Sequence, residues 1–148
     1  QNAKDHLRDI AGIRVICYFI DDIYNLVNAL KRQSELIFIR EKDYIQNPKP
    51  NGYRSFHVII AVPVYYLDTM EYFPVEIQLR TMTMDLWASM EHRVCYKKLP
   101  EHRDELAEAF CQYADILGKI EEQFEAYNET GMLEEITPAQ ITENPTEG

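Results

Sequence analysis

Apolar and polar residues alternate at the start of the chain and then change to helical spacing. In GIRVICYFI, residues 12–20, every second side chain is apolar, and several of the intervening ones are apolar too. This pattern predicts a strand that is buried on one face and partly on the other. Asp21 and Asp22 then open a predicted helix that ends near Lys31 and Arg32, because acidic residues favour a helix N-terminus and basic residues its C-terminus.

Further strands and helices follow from the same two patterns. Alternating runs predict three more strands, near residues 35–40, 55–62 and 72–79. A loop rich in Pro, Asn and Gly separates the first two of these runs, over residues 41–54. Helical periodicity predicts two further helices, over residues 82–98 and from residue 101 to about residue 127.

This order of elements predicts a fold of the α/β (α+β) class. We expect a mixed, mostly antiparallel sheet of about four or five strands, flanked by helices and followed by C-terminal helices. The domain is expected to span residues 1–128. The remainder, residues 129–148, is polar and punctuated by proline, so an acidic flexible tail is expected there.

The net charge of −10 is concentrated at the C-terminal end. Residues 1–100 hold 13 basic and 12 acidic residues, whereas residues 101–148 hold 2 basic and 13 acidic ones. This distribution gives no strong signal for nucleic-acid binding, although local basic clusters can matter in the nearly neutral first part. The longest apolar run is shorter than the roughly 20 residues of a membrane span. The three cysteines are scattered, so a reducing cytoplasm is expected.

Three polar residues of the segment PVEIQLRT, residues 74–81, share one face of the predicted fourth strand. Glu76, Gln78 and Arg80 point to one side, while the apolar residues between them point to the core. For this pattern alone, a solvated face is the commoner explanation. Asp9 makes a ligand site a stronger alternative, because pairing of the first and fourth strands would bring its carboxylate close to that of Glu76. Two neighbouring carboxylates suit Mg²⁺, which binds them together with water and phosphate oxygens.

A second polar cluster surrounds a predicted turn in the segment REKDYIQNPKPNGY, residues 40–53. The dipeptide Asn51-Gly52 predicts a chain reversal. Arg40, Lys42 and Lys49 supply positive charge and Tyr53 supplies an aromatic face, which together can stack a base and bind its phosphates. A solvated basic loop explains the same residues about equally well.

Other residue types with chemical potential have plainer interpretations. A histidine on a strand, such as His57, is more often structural than catalytic. Trp87 and the methionines at positions 82, 84 and 90 recur at helical spacing and are predicted to pack in the core. The last helix has an apolar stripe that predicts a core or subunit contact. It comprises Leu106, Phe110, Tyr113, Leu117, Ile120, Phe124 and Tyr127.

Three segments, in this order and spacing, closely resemble the synthetase domain of the RelA/SpoT family, the (p)ppGpp or alarmone synthetases. They are RDIAGIRVICYFIDDI, REKDYIQNPKPNGYRSFHVII and VEIQLRTMTMDLWASMEH. The resemblance covers about residues 5–128, and the short length looks like the small, single-domain members. It implies a nucleotidyltransferase-like fold, Mg²⁺ as cofactor and transfer of pyrophosphate from ATP to the 3′-hydroxyl of GDP or GTP in the bacterial stringent response.

The resemblance also implies roles for individual residues. Asp9 and Glu76 would bind Mg²⁺, and Glu76 would orient or deprotonate the attacking hydroxyl. Tyr53 would stack on guanine, and Arg14 would face ATP. Lys49 and His57 would lie near the phosphates or ribose of the acceptor, and Gln78 and Asp85 would line its pocket. Lys42 would favour phosphate contact, and nucleotide contacts are also implied for Asn51 and Arg80.

One part of the family pattern is expected to be missing. The family has a basic ATP-binding segment upstream of the motif that contains Asp9, and this chain begins only eight residues before Asp9. Two functions therefore stay open: a GTP pyrophosphokinase, or a non-catalytic guanine-nucleotide-binding or interaction module. A small hydrolase or an unrelated nucleotidyltransferase is a third, because stacking on tyrosine tolerates any base. The resemblance further implies a homo-oligomer through the C-terminal helices, with the tetramer common among small synthetases.

Overall fold

A computed structural model describes residues 10–96 and 100–130 of the chain. This part contains four strands and three α-helices, with a short 3₁₀ turn before the last helix. In chain order the elements are β1 (Ala11–Cys17), α1 (Ile20–Lys31), β2 (Ile37–Asp43), β3 (Phe56–Tyr66), β4 (Thr69–Thr81), α2 (Met82–Cys95) and α3 (Arg103–Thr130). None of the helices in this part is long and apolar enough to cross a membrane.

The strands form one mixed sheet in the order β1-β4-β3-β2. β1 runs parallel to β4, while β3 is antiparallel to both β4 and β2. The predicted mixed, mostly antiparallel sheet is therefore confirmed, as is the pairing of the first strand with the fourth. β4 is central, because it pairs with β1 from Val75 to Thr81 and with β3 from Thr69 to Leu79.

One face of the sheet carries the hydrophobic core. Ile23 and Val27 of α1 are buried there with Val58 of β3 and with Ile77 and Leu79 of β4. Burying each such side chain contributes about 1.5–3 kcal/mol, so this face anchors α1 to the central strands. The opposite face of the same strands carries the polar residues.

Acidic residues explain where α1 begins. The Asp22 carboxylate accepts a hydrogen bond from the backbone N–H of Phe19 at 3.1 Å, which satisfies a donor just before the helix. Asp21 and Asp22 lie in the first turn and Lys31 in the last, the arrangement that the helix dipole favours. The predicted helix is confirmed and begins at Ile20.

Two strands differ from the predictions. β1 is less buried than predicted, because it lies at the edge of the sheet and Ile13 and Ile16 are about half exposed. β2 begins later than predicted and continues through Asp43, so Lys42 belongs to a strand and not to the loop. β3 and β4 also extend further towards their connecting turn than the sequence pattern indicates.

α2 and α3 pack against each other through a second buried cluster. Trp87 and Phe110 lie at its centre, and the indole N–H of Trp87 donates to the backbone carbonyl of Phe110 at 2.6 Å. The predicted core position is confirmed for Trp87 and Met84. It is wrong for Met82 and Met90, which are exposed on the outer side of α2.

α3 runs through Thr130, and the predicted acidic tail beyond it lies outside the described residues. The predicted apolar stripe of this helix divides into two sets. Those that are buried or half-buried are Leu106, Phe110 and Leu117. Those that are exposed are Tyr113, Ile120, Phe124 and Tyr127.

Candidate active site

The polar face of the sheet aligns side chains from all four strands in two rows. Gln78 of β4 lies beside Arg14 of β1 and His57 of β3. His57 in turn lies beside Lys42 of β2. The second row consists of Gly12, Glu76, Ile59 and Arg40. Because side chains alternate between the faces of a strand, both rows point to the same side, and residues from three separate sequence motifs meet there.

An irregularity in β2 decides which of its charged residues face this site. The pairing register shifts between Phe38 and Arg40, so Ile39 is an extra residue that forms a β-bulge. Without the bulge, Phe38 and Arg40 would share a face. With it, Phe38 packs against the core while Arg40 lines the polar face. Glu41 consequently turns towards α1, where it pairs with Lys31 at 2.7 Å.

Glu76 lies between two shallow cavities on the polar face. The first, of about 260 Å³, is lined by Gly12, Ile13, Arg14, Glu76 and Gln78. The second, of about 150 Å³, is lined by Arg40, Lys42, Tyr44, Lys49, His57, Ile59 and Glu76. Its three cations suit phosphate groups. Since Glu76 borders both cavities, it can contact two ligands at once.

A chain of hydrogen bonds connects Arg80 to Glu76 through Tyr53 and His57. Arg80 donates to the Tyr53 hydroxyl oxygen at 2.9 Å, and that hydroxyl lies 2.9 Å from Nε2 of His57. Nδ1 of His57 faces Oε1 of Glu76 at 3.5 Å. Arg80 can only donate, so the Tyr53 hydroxyl keeps its own proton available for Nε2. In the tautomer in which Nε2 accepts that proton, the proton of His57 lies on Nδ1, directed at Glu76.

The surroundings of His57 favour its neutral form. Burial is the largest cause and lowers the pKa of His57 below its ordinary value. The Glu76 carboxylate opposes this shift, whereas the cations Arg80, Lys49 and Lys42 add to it. A neutral imidazole accepts with one nitrogen and donates with the other, as the hydrogen-bond chain requires. His57 therefore connects the ring of Tyr53 to the carboxylate of Glu76.

Tyr44 belongs to the site, although it is not among the residues predicted from the sequence. Its ring meets those of Tyr53 and His57 edge-on, with centroids 6.1 Å and 5.3 Å away. The Lys49 ammonium lies 4.9 Å from the centre of the Tyr44 ring and 5.0 Å from that of Tyr53, within cation–π range. The available sequence signal is an aromatic residue directly after the charged run 40–43.

Arg80 is a buried cation at the base of the site. It exposes 8% of its side chain, and its Nη1 lies 3.3 Å from Oδ1 of Asp85, in the first turn of α2. The same carboxylate pairs with Arg14 at 3.6 Å. Nη2 of Arg80 also donates to Oε1 of Gln78 at 3.4 Å. Asp85 thus joins the start of α2 to β1 and β4 and neutralises charge beneath Tyr53.

The turn that carries Tyr53 is closed by its own backbone. The Gly52 N–H donates to the Lys49 carbonyl at 2.9 Å, and the Lys49 N–H donates to the Tyr53 carbonyl at 3.0 Å. Gly52 has φ +96°, which glycine adopts without strain. The Asn51 side chain accepts from the Tyr53 N–H at 3.0 Å and so stabilises the turn. Asn51 also lines a separate cavity of about 550 Å³ at α2 and α3, so the structure does not place it among the other predicted nucleotide-binding residues.

Glu76 provides a carboxylate suited to Mg²⁺ on the polar face. Its side chain is 36% exposed and borders open cavity space, where the water and phosphate oxygens that Mg²⁺ prefers as further ligands can be accommodated. Asp85 is less suited, because two arginines already neutralise it. The other predicted metal ligand, Asp9, lies outside the described residues.

The chain matches a known family and several characterised proteins. Residues 1–101 match the family described as "Region found in RelA / SpoT proteins". The chain is 48% identical over 120 residues to GTP pyrophosphokinase YwaC of Bacillus subtilis (strain 168), which covers 81% of this chain and 57% of that protein. The chain thus spans about half the length of the curated relatives it matches.

Two solved structures share the fold at substantial sequence identity. The small alarmone synthetase 2 from Bacillus subtilis has a TM-score of 0.75 and 45% identity, covering 84% of this chain and 69% of its own. The small alarmone synthetase 1 from Bacillus subtilis, bound to its product pppGpp, has a TM-score of 0.72 and 30% identity, covering 84% of this chain and 63% of its own.

Proposed function

Since the chain belongs to the RelA/SpoT family, we propose that it carries out the GTP pyrophosphokinase reaction, transfer of the β,γ-pyrophosphate of ATP to the 3′-hydroxyl of GDP or GTP. The observation that carries this proposal is the place of Glu76 between two cavities, one lined by Arg14 and the other by three cations. A carboxylate between a donor and an acceptor can contact both reacting groups.

The proposed reaction is an in-line displacement at the β-phosphorus of ATP. The 3′-oxygen of the acceptor forms a bond to that phosphorus, and the bond from the phosphorus to the oxygen of the α-phosphate breaks, so AMP leaves. Glu76 accepts the proton of the attacking hydroxyl. Glu76 and Asp9 would hold Mg²⁺, which would supply positive charge to neutralise the phosphates.

The acceptor nucleotide is proposed to bind on the Tyr53 side of Glu76. The hydrogen bonds from Arg80 and to His57 fix the Tyr53 ring before a ligand arrives, which lowers the ordering cost of stacking guanine. Lys49 lies over this ring, and its long stem lets the ammonium move to the phosphates when the base takes its place. Lys42 lies across the same cavity and contacts the phosphates.

ATP is proposed to bind on the Arg14 side of Glu76. Arg14 lines that cavity together with Gln78, for which the resemblance implies a place in the acceptor pocket, and Gly12 opposite Glu76 offers no side chain that would fill it. Arg14 is half exposed and held by Asp85 at 3.6 Å, so its guanidinium is directed at the site and still accessible to phosphate.

The decisive test is Glu76→Gln in the full-length protein, which keeps the shape and removes the charge. Product formation from ATP and GDP or GTP with Mg²⁺, measured by anion-exchange separation, should fall by about 10²-fold or more, because the base is lost. Glu71→Gln on the same strand is the matched control, since Glu71 is exposed and far from both cavities along β4. A Glu76→Gln enzyme with the rate of the unmodified protein would contradict the assigned role.

Direct binding separates the enzyme from the non-catalytic module. Both functions predict that Tyr53→Ala weakens GDP and GTP binding, measured by titration calorimetry, because the stacking surface is lost. Only the enzyme predicts product. The relatives named as pyrophosphokinases favour the enzyme. Guanine-nucleotide binding without any product from the full-length protein would leave the binding module as the function.

We also propose that the protein forms a homo-oligomer through α3, with a tetramer as the full assembly. The outer side of this helix exposes a row of large apolar residues, which isolated proteins rarely leave in water. The members of this row, with Ile116 added to the exposed stripe, are Tyr113, Ile116, Ile120, Phe124 and Tyr127. Mass measured by light scattering should exceed that of one chain and fall to it in Ile116→Glu, and a monomeric unmodified protein would remove this proposal.

A cytoplasmic location is proposed as well. The cysteines Cys17 and Cys111 form no disulfide in the described part of the chain. Free thiols persist in a reducing compartment, where ATP and GTP are also available.

A further inference from the structure

The turn that carries Tyr53 is seated on α3. A side chain added at Gly52 would place its Cβ only 3.0 Å from Cβ of Ala114 and 3.2 Å from the backbone of Cys111. These distances show that the backbone of the turn touches the helix directly. Small residues at this point of α3 permit that approach, since larger side chains would push the turn away.

Arg54 fixes the other side of the turn to the same helix. Its guanidinium donates to the backbone carbonyl of Ala114 in the middle of α3. A Cβ at Gly118 would lie 2.7 Å and 2.9 Å from the two terminal nitrogens of Arg54, so the guanidinium occupies the space that a side chain at this position would need. The residues before and after Tyr53 are therefore both held by α3.

Trp87 adds a third connection between Tyr53 and this helix. Its ring meets that of Tyr53 with centroids 6.4 Å apart, and its indole N–H donates to the carbonyl of Phe110. The carbonyls of Phe110 and Ala114 lie one helical turn apart, on one side of α3. Each accepts a side-chain hydrogen bond from a residue that touches Tyr53 or follows it directly.

We propose that α3 positions the acceptor-binding ring of Tyr53, and that Arg54 and Gly118 are the positioning residues. This inference rests on the proposed function. The family match ends at residue 101, before α3 begins at Arg103, so the match itself assigns the helix no part in the site. A shift of the turn displaces Tyr53 from the guanine and leaves the Arg14 side of Glu76 unchanged.

Gly118→Ala in the full-length protein tests this arrangement. Alanine favours a helix more than glycine does, so a loss of function cannot be ascribed to a weaker helix. The added methyl group displaces the Arg54 guanidinium, and the KM for GDP and GTP should rise about 10-fold or more while the KM for ATP changes less than about 2-fold. The matched control is Glu122→Ala, an exposed position one turn further along α3.

A double-mutant cycle assigns the effect to Arg54. Arg54→Met removes the guanidinium and keeps an unbranched side chain, and it should raise the acceptor KM by itself. Adding Gly118→Ala to Arg54→Met should cause no further loss, because the group that the methyl displaces is already absent. Additive effects would overturn the proposal, as would an unchanged acceptor KM in Gly118→Ala.

Two further outcomes are distinguishable. Equal loss of ATP and acceptor affinity in Gly118→Ala, with a lowered melting temperature, would mean that α3 supports the fold as a whole and would overturn positioning of Tyr53. Calorimetric titration of the unmodified protein with GDP is made first. If GDP does not bind the unmodified protein, the proposed function fails and this inference fails with it. If GDP binds the unmodified protein and Gly118→Ala equally well, only the inference is overturned.

Discussion

The two faces of the sheet use the same strands for opposite purposes. On one face, Val58, Ile77 and Leu79 are buried in a hydrophobic cluster with residues of α1. On the other, His57 and Glu76, their neighbours in sequence, lie beside cavities and carry charge or hydrogen bonds. The strand alternation separates packing from chemistry residue by residue, so stability and function can be changed independently on one strand.

The faces also differ in how each position is fixed. A core residue is held by many weak apolar contacts, which tolerate exchange for another apolar side chain of similar volume. Tyr53 is held by two directional bonds to named groups, at 2.9 Å each, and these require particular atoms. The polar face is therefore the less substitutable of the two, even where it is more exposed.

Deleting Ile39 should have the largest effect, because it would disturb which side chains of β2 face the core and which face the polar side. Removal of the bulge shifts the first part of β2 by one residue, so that Phe38 or Arg40 is forced onto the wrong face. We expect a loss of unfolding free energy of about 4 kcal/mol or more, measured by urea unfolding. Ile39→Val keeps the extra residue and is the control, with an expected change below about 1 kcal/mol.

Substitutions at two adjacent positions of β4 should give the next largest difference in unfolding free energy. Leu79→Ala should lower the unfolding free energy by about 2–5 kcal/mol, because Leu79 is fully buried in the core. Gln78→Ala, on the other face, should cost only about 0.5–1 kcal/mol but weaken nucleotide binding. Similar losses of stability from both variants would show that the faces are not independent.

His57 should give a smaller, pH-dependent effect from the polar face. Since the pKa of His57 is lowered in the folded protein, the unfolded chain binds a proton more readily below about pH 6.5. The stability linked to neutral His57 is complete above that pH and is lost as the pH falls towards the lowered pKa. Urea unfolding across this range should show a weaker pH dependence for His57→Gln than for the exposed-site control His102→Gln.

The smallest effect is expected where α1 and α3 meet, beside the core face. Burial is the main cause of the raised pKa of Glu125, and the neighbouring carboxylates of Asp21, Glu129 and Glu121 raise it further. Glu125→Gln should therefore stabilise the protein at neutral pH by about 0.5 kcal/mol, seen as a higher melting temperature. The gain should vanish in acid, where Glu125 is protonated, and Glu108→Gln on the exposed side should show neither change.

Sequence pattern was sufficient for features that depend on local spacing. The acidic and basic residues at its two ends predicted where α1 lies. The alternation along β4 predicted that Glu76, Gln78 and Arg80 share one side of that strand. These follow from periodicities that a single segment contains.

Features that depend on contacts between distant segments were not accessible in this way. The bulge at Ile39 is defined by the partner strand, although the alternating charges of residues 40–43 indicate a strand with two unlike faces. No local sequence pattern predicts that position 118 requires glycine. The space for a side chain there is occupied by the guanidinium of Arg54, 64 positions earlier in the chain. The predicted role of Asp9 stays a prediction.

The position of Glu76 at the border of both cavities has a thermodynamic consequence. Ligands that occupy the two cavities together share one carboxylate, so each changes the free energy with which the other binds. For the proposed substrates, linkage makes this coupling reciprocal: the factor by which the acceptor would change the affinity for ATP equals the factor by which ATP would change the affinity for the acceptor. An affinity measured for either proposed nucleotide alone would therefore describe a different equilibrium from the one that precedes the proposed reaction.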